Sequence, residues 1–154
     1  MRKTILFATL ADTLQAIKTQ SRDSLPFALQ ICKKYGINQP DDAFYYLRTN
    51  TTYKSDPDPV EMVQSIKTLL SVNNFHGISG YGDCDCFTVA MLAMLYHTAT
   101  QPLYVCLGGK TRNAPTHVWA GLASGNKVIP YDLTTYAPGT MRKYKYTQNL
   151  LLNF

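Results

Sequence analysis

The chain has 154 residues, of which 45% are hydrophobic and 16% are charged. These values exclude an intrinsically disordered chain and predict one folded domain over residues 1–154. The net charge of +5 is mild and no nucleic-acid-binding motif accompanies it, so we expect no specific nucleic-acid partner, and no apolar run reaches the length of a membrane span.

Residues 1–55 are predicted to form an N-terminal helical part. Asp12 interrupts the first apolar run too early for a convincing secretory signal, so we expect a helix there and a cytoplasmic protein. A second helix is predicted to start at Ser24 and run through Lys34 to a stop at Gly36, and a third to open at Pro40. The first helix has one apolar face, formed by Ile5, Leu6, Leu10, Leu14 and Ile17.

The segment between this part and the centre of the chain is predicted to be an exposed connection over residues 49–59, followed by a helix. The apolar residues of that helix recur at Val60, Val63, Ile66, Leu69 and Leu70, and we expect it to lie against the next helix. Residues 71–83 are rich in glycine and are predicted to form a loop along a cleft. An exposed position is expected for His76 in this loop, with a metal or catalytic role as the alternative.

The stretch that begins at Gly82 predicts a nucleophile. It delivers Cys84 to the first turn of a helix whose residues 86–95 are apolar on nearly every face, which indicates a buried helix. A thiol at a helix N-terminus lies at the positive end of the helix dipole, so we expect its pKa to be lowered. The alternative is that Cys84 and Cys86 only fill space in the core.

Two strands after this helix are predicted to form a hairpin. Residues 116–123 and 126–134 have strand composition, and Ser124-Gly125 suits the two-residue turn between them. That turn places His117 directly opposite Asp132 on one face, where the carboxylate can orient the imidazole. The alternative is a structural histidine and an aspartate that ends its strand.

Two further segments complete the predicted sheet. Residues 102–107 alternate as a strand, with Leu103, Val105 and Leu107 on one face and Cys106 on the other. The tail, residues 141–154, is predicted to add either an edge strand or a docked helix.

These motifs together resemble the transglutaminase-like cysteine peptidases, and in particular the short members that bacteriophages encode. The family's Gly-x-Cys-(Asp/Glu)-Asp motif, its histidine strand and its aspartate strand are matched by residues 82–85, 117–119 and 131–134. The resemblance covers about residues 56–140, which it implies to be the catalytic core, with 141–154 as a tail. One departure is Cys86, which stands where many bacterial members carry a second acidic residue.

The resemblance implies an α+β, papain-like or transglutaminase-like fold, in which the nucleophile helix packs on an antiparallel β-sheet beside N-terminal helices. It implies acyl transfer from an amide through a Cys84 thioester, with His117 as acid and base and Asp132 as its orienting partner. A protein or peptide is then the substrate, and water or an amine is the acceptor. The Cys84 backbone N–H is the expected first oxyanion donor; candidates for the second donor or for substrate contact are Gln64, Asn73, Asn74 and Trp119.

Two other functions remain open at this point. The same fold can serve as a catalytically silent binding module or as a structural module of a virion, with another protein as partner. Cys84 and Cys86 can alternatively act as a redox pair. No cofactor is expected, and zinc is disfavoured because side chains two residues apart on a helix diverge by about 200°.

Overall fold

The fold is organised around one buried helix. The computed structural model describes residues 2–6, 9–58 and 60–154, and every residue from 85 to 95 on the central helix is buried. Helices α1 and α2 and strand β6 make most of the packing against it. The helices in the described residues are α1 (Leu10–Tyr35), α2 (Pro40–Asn50), α3 (Ile66–Leu69) and α4 (Cys84–Thr98).

Within the described residues, the strands form one four-stranded antiparallel sheet and two small pairs. The main sheet has the order β7-β6-β5-β8, and the pairs are antiparallel β1-β3 and parallel β2-β4. The protein is therefore a mixed α/β fold with an antiparallel sheet. The strands are β1 (Arg2–Leu6), β2 (Thr52–Tyr53), β3 (Val60–Gln64), β4 (Tyr81–Gly82), β5 (Leu103–Gly109), β6 (His117–Ser124), β7 (Lys127–Tyr131) and β8 (Tyr146–Leu151).

Helix α1 replaces the two N-terminal helices predicted from the sequence. Its start is fixed by a capping box between Thr9 and Asp12, and it runs past Pro26 to a left-handed cap at Gly36. The predicted break at residues 24–26 is wrong because the buried face of the helix continues on both sides of Pro26. The proline has no N–H to bond the carbonyl of Arg22, and because Arg22 is exposed this lost bond is tolerated.

None of the helices in the described ranges has the length and apolar character to cross a bilayer.

Two helix predictions fail because strand pairing outweighs local spacing. Residues 2–6 form β1 rather than the start of a helix, and residues 60–64 form its partner β3. Of the helix predicted over residues 60–70, only residues 66–69 are helical. Ser65 is the N-cap of this short helix, and its side chain accepts a hydrogen bond from the Thr68 N–H. Residues 1, 7 and 8 of the predicted first helix, and Pro59 of the predicted connection, lie outside the described residues.

The hairpin that carries the histidine turns one residue later than predicted. Ser124 pairs with Lys127, so the loop is Gly125-Asn126, and Gly125 has the positive φ of 60° that such a turn needs. The predicted placement of His117 directly opposite Asp132 is wrong, because the observed register is displaced by two residues, as the pair of Ala123 with Val128 shows. Because this change moves the register by two residues, each side chain keeps its face. The tail forms β8 at the edge of the sheet, the strand alternative of the two predicted.

Candidate active site

Cys84 is the first residue of α4 and follows a tight turn built by glycines. Gly80 has φ +84°, and a Cβ there would lie 2.0 Å from the Asn50 carbonyl oxygen. Asp83 is the N-cap residue. The first N–H groups of a helix have no partner within the helix, so the Cys84 N–H can bind a developing oxyanion.

The electrostatic environment of the Cys84 thiol differs from the one expected of a helix N-terminus. Burial raises the pKa of this thiol to about 12, and the negative charges of Asp83, Glu61 and Asp132 act in the same direction. The backbone of Val118, next to His117, opposes them only in part. The prediction of a lowered pKa is therefore wrong, because desolvation and nearby carboxylates outweigh the helix dipole. The thiol is neutral at neutral pH.

His117 and Asp132 form a close pair, although Asp132 lies one residue beyond the end of β7. The distance from His117 Nε2 to Asp132 Oδ2 is 2.7 Å. The other carboxylate oxygen, Oδ1, accepts bonds from the Thr134 backbone N–H at 2.9 Å and from its hydroxyl at 2.8 Å. Burial acts to raise the pKa of Asp132, but the bonds from His117 and Thr134 outweigh it and lower that pKa. The carboxylate is ionised. Its hydrogen bond to Nε2 fixes the orientation of the imidazole and leaves Nδ1 free for another partner.

Aromatic rings hold the imidazole on its other side. The His117 ring stacks on Trp119 with centroids 5.6 Å apart, and Tyr144 stacks on both rings, at 5.6 Å from Trp119 and 6.0 Å from His117. Gly108, opposite His117 on β5, makes room for this stack, since a Cβ there would lie 2.6 Å from Tyr144 Cδ2. The predicted site residue Trp119 is thus a support for the histidine and is almost fully buried.

Cys84 and His117 line one cavity of about 350 Å³. Its apolar wall comes from α1 and from Leu107 and Val118, and Glu61 and Asp85 supply carboxyl groups. Burial, followed by a hydrogen bond with Asp83, raises the pKa of Asp85 well above its usual range. Among the described residues, His117 Nδ1 has no hydrogen-bond partner. The arrangement offers a nucleophile, a base with one free nitrogen and space for a substrate side chain.

Two of the side chains predicted as second oxyanion donors, those of Gln64 and Asn74, make hydrogen bonds to groups other than Cys84. Gln64 is fully buried; its amide nitrogen lies 3.5 Å from the sulfur of Cys86, and its oxygen accepts from the Phe75 N–H at 3.1 Å. Asn74 is buried and donates to carbonyls of the 69–81 segment, including that of Leu69 at 3.0 Å. Asn73 is exposed. The geometry gives Gln64 and Asn74 structural roles in this loop.

Cys86 faces a different environment from Cys84. It is fully buried, its thiol donates to the Met62 carbonyl at 2.9 Å, and burial followed by the charge of Asp83 raises its pKa to about 12. All four cysteines are free. The two thiols therefore do not form a disulfide in this structure.

Acidic side chains gather beside the nucleophile. Asp56, Glu61 and Asp83 each place a carboxylate oxygen within 4.8 Å of the others, and Asp83, Asp85 and Cys86 form a second such group. Carboxylate oxygens are the ligands that hard cations prefer. Burial and the charge of Asp83 raise the pKa of Asp56 to about 7, so a proton can take the place of a cation. No group of thiols and imidazoles with zinc-ligand spacing occurs in the described part of the chain.

A second cavity, of about 470 Å³, is lined by His117 but not by Cys84 and was not anticipated from the sequence. Arg48 of α2 and Arg142 of the tail line it, together with Thr134 and Tyr53. Only Thr134 carried a sequence signal, because the Asp-x-Thr spacing is typical of a side-chain-bonded turn. His76, expected to be exposed, is half-buried, and its Nε2 lies 3.6 Å from Asp56 Oδ1.

Comparisons of the chain with protein-family models, with curated proteins and with solved structures find no match. The resemblance to transglutaminase-like cysteine peptidases therefore rests on the residues themselves.

Proposed function

We propose that the protein is a transglutaminase-like cysteine peptidase or amidase with a papain-like core, in which Cys84, His117 and Asp132 act together. The observation that carries this proposal is the 2.7 Å pair of His117 and Asp132, in which His117 lines the same cavity as Cys84. An imidazole fixed by a carboxylate beside a thiol at a helix N-terminus is suited to nucleophilic catalysis.

The reaction begins from a neutral thiol. Cys84 Sγ attacks the amide carbon while its proton moves to His117 Nδ1, and Asp132 stabilises the resulting imidazolium. The C–N bond then breaks as the imidazolium protonates the leaving nitrogen, which yields a thioester and a free amine. Water attacks the thioester with His117 as base, and the products are a carboxylic acid and the regenerated thiol. The Cys84 N–H stabilises the oxyanion in both steps.

A peptide vinyl sulfone tests this proposal, because it reacts covalently with a thiol that an adjacent imidazole activates. We expect mass spectrometry to find one adduct, on Cys84, and to find that His117→Ala slows its formation at pH 7.5 by about 100-fold. His97→Ala is the matched control, because His97 lies at the other end of α4 and bonds the Leu25 carbonyl at 2.7 Å. An adduct on another cysteine, or a rate that His117→Ala leaves unchanged, contradicts the proposal.

A catalytically silent binding module is the second candidate function, and the raised pKa of Cys84 favours it. Such a module would bind a protein partner, for example in a virion, without forming a thioester. It predicts a folded protein whose Cys84 does not react with the vinyl sulfone and whose partner binding survives Cys84→Ala. Formation of the His117-dependent adduct excludes this candidate.

A further inference from the structure

The second cavity that His117 lines, of about 470 Å³, has the properties of an anion site. Its wall contains two guanidinium groups, from Arg48 and Arg142, together with the hydroxyl-bearing residues Thr134 and Tyr53. Neither arginine forms an ion pair in the part of the chain that the structure describes. The nearby carboxylate, that of Asp132, is buried and already bonded to His117 and Thr134, so it leaves both positive charges uncompensated.

The two guanidinium groups are held in place by the backbone of one turn. Arg48 Nε donates to the Thr135 carbonyl at 3.0 Å, and Arg142 donates through one terminal nitrogen to the Thr134 carbonyl at 3.3 Å. Because these carbonyls are consecutive, the two side chains converge. Each guanidinium has further N–H donors that remain for a ligand, and their planar geometry matches a carboxylate.

The position of this cavity relative to His117 indicates which portion of the substrate it binds. Thr134 Oγ1, on the turn that holds the arginines, lies 3.4 Å from His117 Nε2. His117 lines both cavities, whereas Cys84 lines only the first one, where Glu61 supplies a negative charge. In the proposed reaction the acyl group becomes bonded to Cys84 and stays in the cavity that Cys84 lines, so the leaving portion of the substrate extends into the other cavity that His117 lines, toward the arginines. The charge of Glu61 on the Cys84 side disfavours the reverse orientation.

We propose that Arg48 and Arg142 bind a carboxylate on the leaving-amine portion of the substrate, so that the enzyme releases an amino acid or short peptide that carries a negative charge beside the new amine. This inference rests on the proposed function for its direction. The carboxylate comes from either of two sources, a free C-terminus or an acidic side chain next to the cleaved bond.

Binding of product-like dipeptides to Cys84→Ala protein tests the inference without turnover. The probes are Gly-Ala with a free carboxylate, Gly-Ala amide, and Gly-Glu amide, in which only the side chain is acidic, each titrated by NMR. We expect at least one acidic probe to bind about tenfold or more tightly than Gly-Ala amide. The acidic probe that binds identifies the source of the carboxylate.

Substitution of the arginines completes the test. In R48Q/R142Q the preference for the acidic probe should disappear, whereas R112Q, which changes an arginine that lines a different cavity, should keep it. Equal binding of all three probes, no binding of either acidic probe at millimolar concentration, or a preference that survives in R48Q/R142Q each overturns the inference. A carboxylate preference without vinyl sulfone adducts on Cys84 retains the anion site and rejects the peptidase proposal, so the two failures are distinguishable.

Discussion

Alkylation of Cys84 by iodoacetamide measures the state of the thiol, because only the thiolate reacts. With its pKa raised from 9.0 to about 12, Cys84 has roughly a thousandfold less thiolate at pH 7.5 than an ordinary cysteine. We therefore expect its alkylation to be slower in the folded protein than in urea by about that factor, and to accelerate about tenfold per pH unit from pH 7 to pH 10. Peptide mapping by mass spectrometry follows each cysteine separately.

The charge of Asp83 offers an internal check on this explanation. Asp83 makes no side-chain cap bond, so Asp83→Asn removes a charge without removing a cap interaction. We expect this variant to alkylate about 3- to 10-fold faster at pH 7.5, whereas Asp58→Asn, which changes an exposed residue, should match the parent. An alkylation rate that levels off below pH 8 would mean that Cys84 is a preformed thiolate and would refute the reasoning.

Three further changes test the surroundings of the nucleophile. Asp132→Asn should slow vinyl sulfone labelling by about 100-fold or more, because the amide no longer fixes the His117 tautomer; a loss below threefold would contradict the pair's role. Gly108→Ala should destabilise the fold by about 1–3 kcal/mol and change the fluorescence of Trp119, the single tryptophan, because the new Cβ displaces the aromatic stack; unchanged urea unfolding and emission would contradict the packing. Burial, followed by the charge of Asp83, raises the pKa of Asp56 to about 7. Protonated Asp56 therefore stabilises the folded state; this contribution is full below about pH 4 and is lost as the pH rises through about 7. Asp56→Asn should therefore reduce the fall in unfolding free energy between pH 5 and pH 8 by about 1–3 kcal/mol, and an identical fall in both proteins would count against this carboxyl.

Local signals account for what the sequence predicted well. The start of α4 at Cys84 follows from its turn and from the apolar run after it, both of which are short-range features. His117 and Asp132 share a face in both the predicted and the observed hairpin. The observed turn lies one residue later than the predicted turn, and the resulting register change of two residues preserves the side-chain alternation. The pairing of β1 with β3 escaped prediction because residues 2–6 and 60–64 are far apart in sequence.

The same distinction explains why the electrostatics of the candidate site were missed. The helix dipole at Cys84 can be read from its own segment, but the burial that raises the pKa of its thiol comes from packing of the whole fold, and the further charges of Glu61 and Asp132 come from β3 and from the end of the hairpin. Arg48 and Arg142 likewise meet only because α2 and the tail pack against the turn after β7. The spacing of residues in the sequence contains no information on such tertiary contacts.

The raised thiol pKa and the charge difference between the two cavities have one consequence for the proposed chemistry. A thiol that stays protonated at rest must pass its proton to His117 during attack, so the imidazolium forms only when substrate is present. The charge of Glu61 on the Cys84 side favours this transfer because it stabilises a positive ring, and an anionic leaving portion held by the arginines has the same effect. Substrate binding would then assist proton transfer directly, which predicts that a carboxylate on the leaving side raises kcat as well as lowering KM. An effect confined to KM would mean that the arginines bind substrate without aiding the chemical step.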